Sequence, residues 1–169
     1  HVVMPTFHIA GSGWGLVSLA MGSRMILDRE VDPVAILKEI EAHGITHAIY
    51  VPAVLQFLQI VPNANDHDLS SMQLVAYGAS PITEPVLRAA MAQFATAKFV
   101  QVYGLTETTG AVVQLDAVDH DPEGRPELLR SAGKPYPWIE LRTVGADGED
   151  VGPDAIGEVW IKGPQVMVG

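Results

Sequence analysis

From Arg24 to Gly104 the sequence alternates short apolar runs with segments of helical period, and this alternation restricts the fold more than any other feature. "RMILD" (Arg24–Asp28), "THAIYVP" (Thr46–Pro52), "QLVAYGAS" (Gln73–Ser80) and "KFVQVYG" (Lys98–Gly104) read as strands. "DPVAILKEIEAHG", "AVLQFLQIV" and "TEPVLRAAMAQF" between them read as helices. In the first of these, Asp32 is the N-cap, Pro33 the first helical residue and Gly44 the stop, with Val34, Ile36, Leu37 and Ile40 on one face. In the last, Thr83 is the cap and Leu87, Ala90, Met91 and Phe94 form the apolar stripe. The order β-α-β-α-β-α-β predicts an α/β fold: a parallel sheet with right-handed crossovers and helices on both faces. A further helix is predicted from Thr6 to Met21. Its Gly11, Gly13 and Gly15 call for close packing or a ligand. After Gly110 comes an acidic loop, then "IELRTV" and "GEVWIKG", with an Asp147-Gly148 turn between them. These predict an antiparallel β segment.

Charge narrows the partners. Twenty acidic residues against ten basic give a net charge of −10, which argues against nucleic acid and anionic membrane. An anionic nucleotide would need Mg²⁺, backbone N–H groups or a Lys at its site. The absence of Cys removes disulfides, zinc-thiolate sites and thiol catalysis. The start has no charged leader, and the apolar window Phe7–Gly22 is short and broken by glycines. The expectation is a soluble protein without a transmembrane segment, cytoplasmic by default. Both ends lie in apolar sequence, so an internal fragment is expected.

Four stretches are candidate sites. "HGITH" sets His43 and His47 four apart, but Gly44 ends the helix between them, so they are not a helical metal pair. "GSGWG" (Gly11–Gly15) lacks the dinucleotide spacing, and a tightly packed helix is the better reading. "YGASPI" puts Ser80 between a strand and a helix, as in a hydrolase elbow. Ile82 stands where that motif needs Gly, so a turn admitting a flat ligand fits better. "VYGLTETTG" (Val102–Gly110) carries hydroxyls around one carboxylate at the carboxyl end of a strand, where such sheets bind ligands. Spacing leaves two readings open there. One is a helix start capped by Thr106. The other is a phosphate and metal site, with Glu107 holding Mg²⁺ and Tyr103 offering a flat face to a base. If the strands ending at Gly78 and Gly104 are neighbours, both turns face one crevice.

The ordered blocks "MPTFHIAG", "YGASPI", "YGLTETTG", "SAGKPYP" and "GEVWIKGP" resemble the adenylate-forming (AMP-binding) enzymes. Within them the chain is most similar to bacterial fatty-acid–CoA ligases. The resemblance implies a two-step reaction. A carboxylate attacks the α-phosphate of ATP and releases pyrophosphate, and CoA then displaces AMP from the acyl-adenylate. It implies ATP, Mg²⁺ and CoA, a carboxylic acid of the fatty-acid class, and allows a homo-oligomer. By position, Glu107 resembles the Mg²⁺-ligating glutamate and Thr106 the threonine that meets the phosphate. Tyr103 and Gly104 resemble one wall of the adenine and α-phosphate site, with Gly78, Ala79 and Ser80 on the other side. His8 resembles the histidine near the reacting carboxylate. Ser12 stands about where some long-chain members carry a gating aromatic, and Trp14 is the neighbouring candidate for the acyl pocket. Many members have Gly where Val102 stands, so a shorter or bent acyl pocket is expected. The resemblance divides the chain into an α/β subdomain (1–115) and the start of a β-barrel (116–169).

The family's Lys-bearing phosphate loop, its ribose-binding aspartate and its lysine-bearing C-terminal domain have no counterpart in these residues, so the chain is expected not to adenylate by itself. Three rivals remain: an aryl-CoA ligase or other adenylate-forming enzyme, a non-catalytic nucleotide-binding module, and a hydrolase using Ser80. An amino acid-activating enzyme is disfavoured, because no acidic residue near the strand ends is placed to hold an ammonium group.

Overall fold

The computed structural model describes residues 1–168. A five-stranded sheet runs in the order β1 (His47–Tyr50), β2 (Leu74–Gly78), β3 (Lys98–Leu105), β4 (Gly110–Leu115), β5 (Lys134–Pro135). β1, β2 and β3 are parallel, and β4 and β5 add antiparallel strands at the β3 edge. The crossovers are α3 (Pro52–Gln59) and α4 (Glu84–Gln93). Because the strands follow chain order, right-handed crossovers place both helices on one face. α3 packs against α4 and against α2 (Pro33–His43). Below that layer Ala48, Tyr50, Val75, Tyr77 and Phe99 form the core with Ile36, Leu37, Ile40 and Leu87.

α2 forms for the reasons its sequence gives. Asp32 Oδ1 accepts from the backbone N–H groups of Val34 and Ala35, and Gly44 closes the helix with φ 58°. Val34 departs from the expected stripe and is 41% exposed. Thr83 takes the N-cap position of α4 without a side-chain hydrogen bond.

The register assigns the sheet's other face. Ile49, Ala76 and Val100 are aligned across three strands, and Gly78 is opposite Val102. α1 (Ile9–Ala20) lies on this side. It is shorter than expected because the His8 ring caps it, Nδ1 accepting from the Ala10 N–H at 3.1 Å. Gly11 packs against the Met4 and Pro5 carbonyls.

The expected first strand is not formed. Arg24–Asp28 contributes one parallel bridge, Leu27 to Val2, with hydrogen bonds on either side of it. Leu27 is 55% exposed, so the run has no second face to bury. The fully buried His1 ring ties this region together, 3.0 Å from Asp28 Oδ2 and 3.3 Å from Glu39 Oε2.

In the C-terminal third, β6 (Glu140–Val144) and β7 (Glu158–Lys162) pair as a separate antiparallel sheet. Asp147-Gly148 sits in a tight turn, Gly148 N–H donating to the Gly145 carbonyl. Among the described residues, no helix is long and apolar enough to cross a membrane.

The acidic loop after β4 is fastened by a buried polar relay. The Tyr77 hydroxyl lies 2.9 Å from His120 Nε2, and His120 Nδ1 lies 2.9 Å from the Asp116 carbonyl. A carbonyl only accepts, so Nδ1 carries the proton and Nε2 accepts from Tyr77. Burial pushes the His120 imidazole down, opposed by its bond to Asp116 and the charges of Asp119 and Asp116. Between that lowered value and about 6.5 the unfolded chain binds the extra proton. The relay's contribution is therefore complete above about pH 6.5 and is lost as pH falls. Thermal midpoints measured down to about pH 5 should fall less steeply for His120→Gln, whose amide offers an acceptor and a donor without titrating. Equal slopes would rule this relay out as a source of acid sensitivity.

Candidate functional site

Two adjoining cavities open where β2 and β3 end. The first, about 690 Å³, lies between α1 and the face carrying Ile49, Ala76 and Val100. The second, about 730 Å³, lies against the turn that follows β2. Gly78, Ala79, Val102, Gly104 and Leu105 line both. The strands ending at Gly78 and Gly104 are neighbours, as the crevice expectation requires.

The residues that the resemblance assigns to the site each line one of these cavities. His8, Trp14, Thr106 and Glu107 are on the first, Ser80 and Tyr103 on the second, and Gly78, Ala79, Val102 and Gly104 on both. Close backbone approach explains the glycines. A Cβ on Gly78 would collide with the Val102 carbonyl, and one on Gly104 with the Gly110 carbonyl. Ala79 has φ 68°, a left-handed conformation that costs a non-glycine residue about 1 kcal/mol or more and turns the chain out of β2.

The stretch after Gly104 is not a helix start. Thr106–Thr108 is a single 3₁₀ turn, Thr109 (φ 53°) and Gly110 (φ 101°) reverse the chain, and β4 returns antiparallel to β3. Among the described residues Thr106 makes no capping bond. The buried Thr108 does that work. Its Oγ1 accepts from the Leu105 N–H at 2.9 Å and donates to the Gly110 carbonyl at 2.7 Å. Thr106 and Glu107 stay exposed at the apex. Among the described residues the Glu107 carboxylate has no ion pair and no hydrogen bond. A free carboxylate beside a hydroxyl suits Mg²⁺, which takes one or two protein carboxylates and keeps water or phosphate oxygens in its other positions.

The His8 ring is half committed. With Nδ1 accepting from Ala10, the neutral ring carries its proton on Nε2, free to donate. Among the described residues, the side-chain partners of the histidines do not include Ser80, so a Ser–His pair is absent there. His43 bonds to Arg24 and His47 to Thr46, and the two make no joint site.

Several site residues were not singled out from the sequence. Arg130, on the second cavity, can donate to an anionic group. Tyr136, on the first cavity, stacks on Trp138 at 5.1 Å. Gln165 reaches the Thr106–Ala111 turn from 54 residues beyond Ala111. No local spacing announces such a contact.

The family model for AMP-binding enzymes matches residues 1–169. The chain belongs to the AMP-binding enzyme family. It is 33% identical over 165 residues to a fatty acid–[acyl-carrier-protein] ligase of Streptomyces coeruleorubidus, covering 98% of this chain and 31% of that protein. It is 32% identical over 165 residues to an indoleacetate–CoA ligase of Aromatoleum aromaticum, covering 97% of this chain and 31% of that protein. Among solved structures, the o-succinylbenzoate–CoA synthetase of Bacillus subtilis in complex with ATP and magnesium ion superposes with a TM-score of 0.80 at 27% identity. That match covers 99% of this chain and 33% of that one. The chain thus spans about a third of the length of the relatives it matches.

Proposed function

We propose that this chain forms the central part of an ATP-dependent acyl-CoA synthetase, with the acyl group in the first cavity and the nucleotide in the second. One observation carries the reading: an apolar cavity and a glycine-lined crevice meet at Val102 and Gly104, with Thr106 and Glu107 at the rim of the apolar one. A reaction joining a carboxylate to a nucleotide needs two such pockets sharing one wall.

In this reading Gly78, Ala79, Ser80, Tyr103 and Gly104 receive the adenine and the α-phosphate. The Thr106 hydroxyl donates to a phosphate oxygen. Glu107 holds Mg²⁺, which offsets phosphate charge. His8 Nε2–H faces the carboxylate, and Trp14 and Val102 bound the acyl chain. A carboxylate oxygen attacks the α-phosphorus as the bond to pyrophosphate breaks. The CoA thiol, losing its proton, then displaces AMP from the acyl carbon. Bringing anions together is the main obstacle, so alignment and charge neutralisation carry the rate. No protein nucleophile is required, in keeping with a Ser80 that lacks a histidine partner among the described residues.

Fatty acids are the proposed substrates because the first cavity's wall is mostly aliphatic. The similarity to an indoleacetate–CoA ligase keeps an aryl acid as the second reading. The division at residues 115 and 116, the cytoplasmic location and the inactivity of the excised chain belong to the same proposal. The test incubates the full-length protein with ATP, Mg²⁺, CoA and a panel of fatty and aryl acids, and detects AMP and acyl-CoA by mass spectrometry. Thioesters of fatty acids are expected, aryl thioesters alone would select the second reading, and AMP-free reactions would refute both.

Val102 makes the acyl assignment testable. Its side chain sits beside Gly78 at the seam of the two cavities. Val102→Gly should raise the relative kcat/KM for acids about two carbons longer by roughly tenfold, the scale of a methylene or two in an apolar pocket. An unchanged chain-length profile would remove Val102 from the pocket wall.

A further inference from the structure

The segment after β7 makes four hydrogen bonds to the Thr106–Ala111 turn. Gln165 Nε2 donates to the Thr108 carbonyl and to the Ala111 carbonyl, both at 2.8 Å. The Thr109 hydroxyl donates to the Gln165 carbonyl at 2.7 Å. The Met167 N–H donates to the carbonyl of Glu107 itself, also at 2.7 Å.

The side-chain amide has one orientation. Trp138 Nε1–H donates to Gln165 Oε1 at 2.8 Å, so the NH₂ end must face the two carbonyls. Trp138 is in turn stacked on Tyr136, whose hydroxyl donates to Gln114 Oε1 at 3.0 Å. The turn needs this help. A single 3₁₀ turn followed by a left-handed residue leaves carbonyls without ladder partners, and each unmet one costs free energy when covered by protein.

We propose that Gln165 is a positioning residue. Its amide locks the Thr106–Ala111 turn in one conformation, and through the backbone sets where the Thr106 hydroxyl and the Glu107 carboxylate stand. The catalytic part of this inference rests on the function proposed above, while the mechanical part does not. The lock also makes the antiparallel β segment part of the site, although that segment contributes none of the residues assigned to the reaction.

Gln165→Met keeps the length of the side chain and removes both donors. Gln165→Lys restores donors to the same two carbonyls. In the full-length protein, hydrogen–deuterium exchange of the peptide spanning residues 105–111 should rise at least severalfold in Gln165→Met and return toward wild type in Gln165→Lys. Acid-dependent pyrophosphate exchange should show kcat lowered roughly 10- to 100-fold in Gln165→Met, the scale of a misplaced reacting group. The Mg²⁺ concentration for half-maximal rate should rise, and KM for the carboxylic acid should stay within about twofold.

Unchanged exchange of the 105–111 peptide in a folded Gln165→Met protein would overturn the lock. Faster exchange with unchanged kcat and Mg²⁺ dependence would overturn its role in positioning. So would kcat and both half-saturation values moving together in step with a loss of thermal stability. If the wild-type protein shows no acid-dependent pyrophosphate exchange, the proposed function fails, and the lock is still decided by deuterium exchange.

Discussion

Glu107→Gln in the full-length protein is expected to lower the rate of acyl-adenylate formation by about 100-fold or more, the scale of removing one electrostatic stabiliser from a phosphoryl or acyl centre. The loss should be in kcat and in Mg²⁺ dependence, with the melting temperature unchanged. The structure separates these effects. The Glu107 side chain is exposed and free of hydrogen bonds and ion pairs among the described residues, so replacing it removes nothing that holds the fold. Its fixed point is the backbone carbonyl, bonded to the Met167 N–H, which the substitution keeps. A variant with wild-type kcat and Mg²⁺ response would take Glu107 out of the site.

The second large effect is on stability. Gly104 stands at an irregularity in the β3–β4 pairing, where Tyr103 faces Val113 and Gly104 faces Ala111. A methyl group there would overlap the Gly110 carbonyl and lie 2.9 Å from the Ala111 Cα. Both are backbone atoms, so relief requires the hairpin to open. Gly104→Ala should cost about 3 kcal/mol, the upper range for overpacking. That lowers the melting temperature by roughly 6–12 °C for a domain of this size. Gly152→Ala is the control, because a Cβ there meets nothing within 4 Å. Melting temperatures of both variants in the full-length protein check this. If Gly104→Ala melts with Gly152→Ala and wild type, the close approach of β3 and β4 is not what the structure shows.

Particular elements show how far the sequence carried. The helix from Pro33 to His43 was legible because cap, proline, apolar stripe and glycine stop all point the same way. Strands β1 to β3 were legible as apolar runs between helices. The false strand at Arg24–Asp28 is a similar apolar run, but pairing is a tertiary fact: among the described residues its one bridge is to Val2, a residue that local pattern left unassigned. β4 was hidden for a related reason. Its apolar run follows a hydroxyl-rich turn that local propensity reads equally well as a helix start, and the left-handed Thr109 and Gly110 decide for a reversal.

At the site, the residues near the ends of two neighbouring strands could be read from the sequence, because a parallel sheet brings those ends together. His8 and Trp14 came only through family resemblance, since α1 reaches the cavity from the opposite layer. Thr108 and Gln165 escaped both routes. One acts through its own backbone neighbourhood, the other across more than fifty residues.

The central claim is that a carboxylate and a nucleotide react across the wall formed by Val102 and Gly104. Isotope exchange between pyrophosphate and ATP, run with the full-length protein and Mg²⁺ in the absence of CoA, tests it most directly. The account predicts exchange that depends on an added fatty acid and falls about 100-fold in Glu107→Gln. Exchange that needs no carboxylic acid, or no exchange with any acid of the panel, would contradict it.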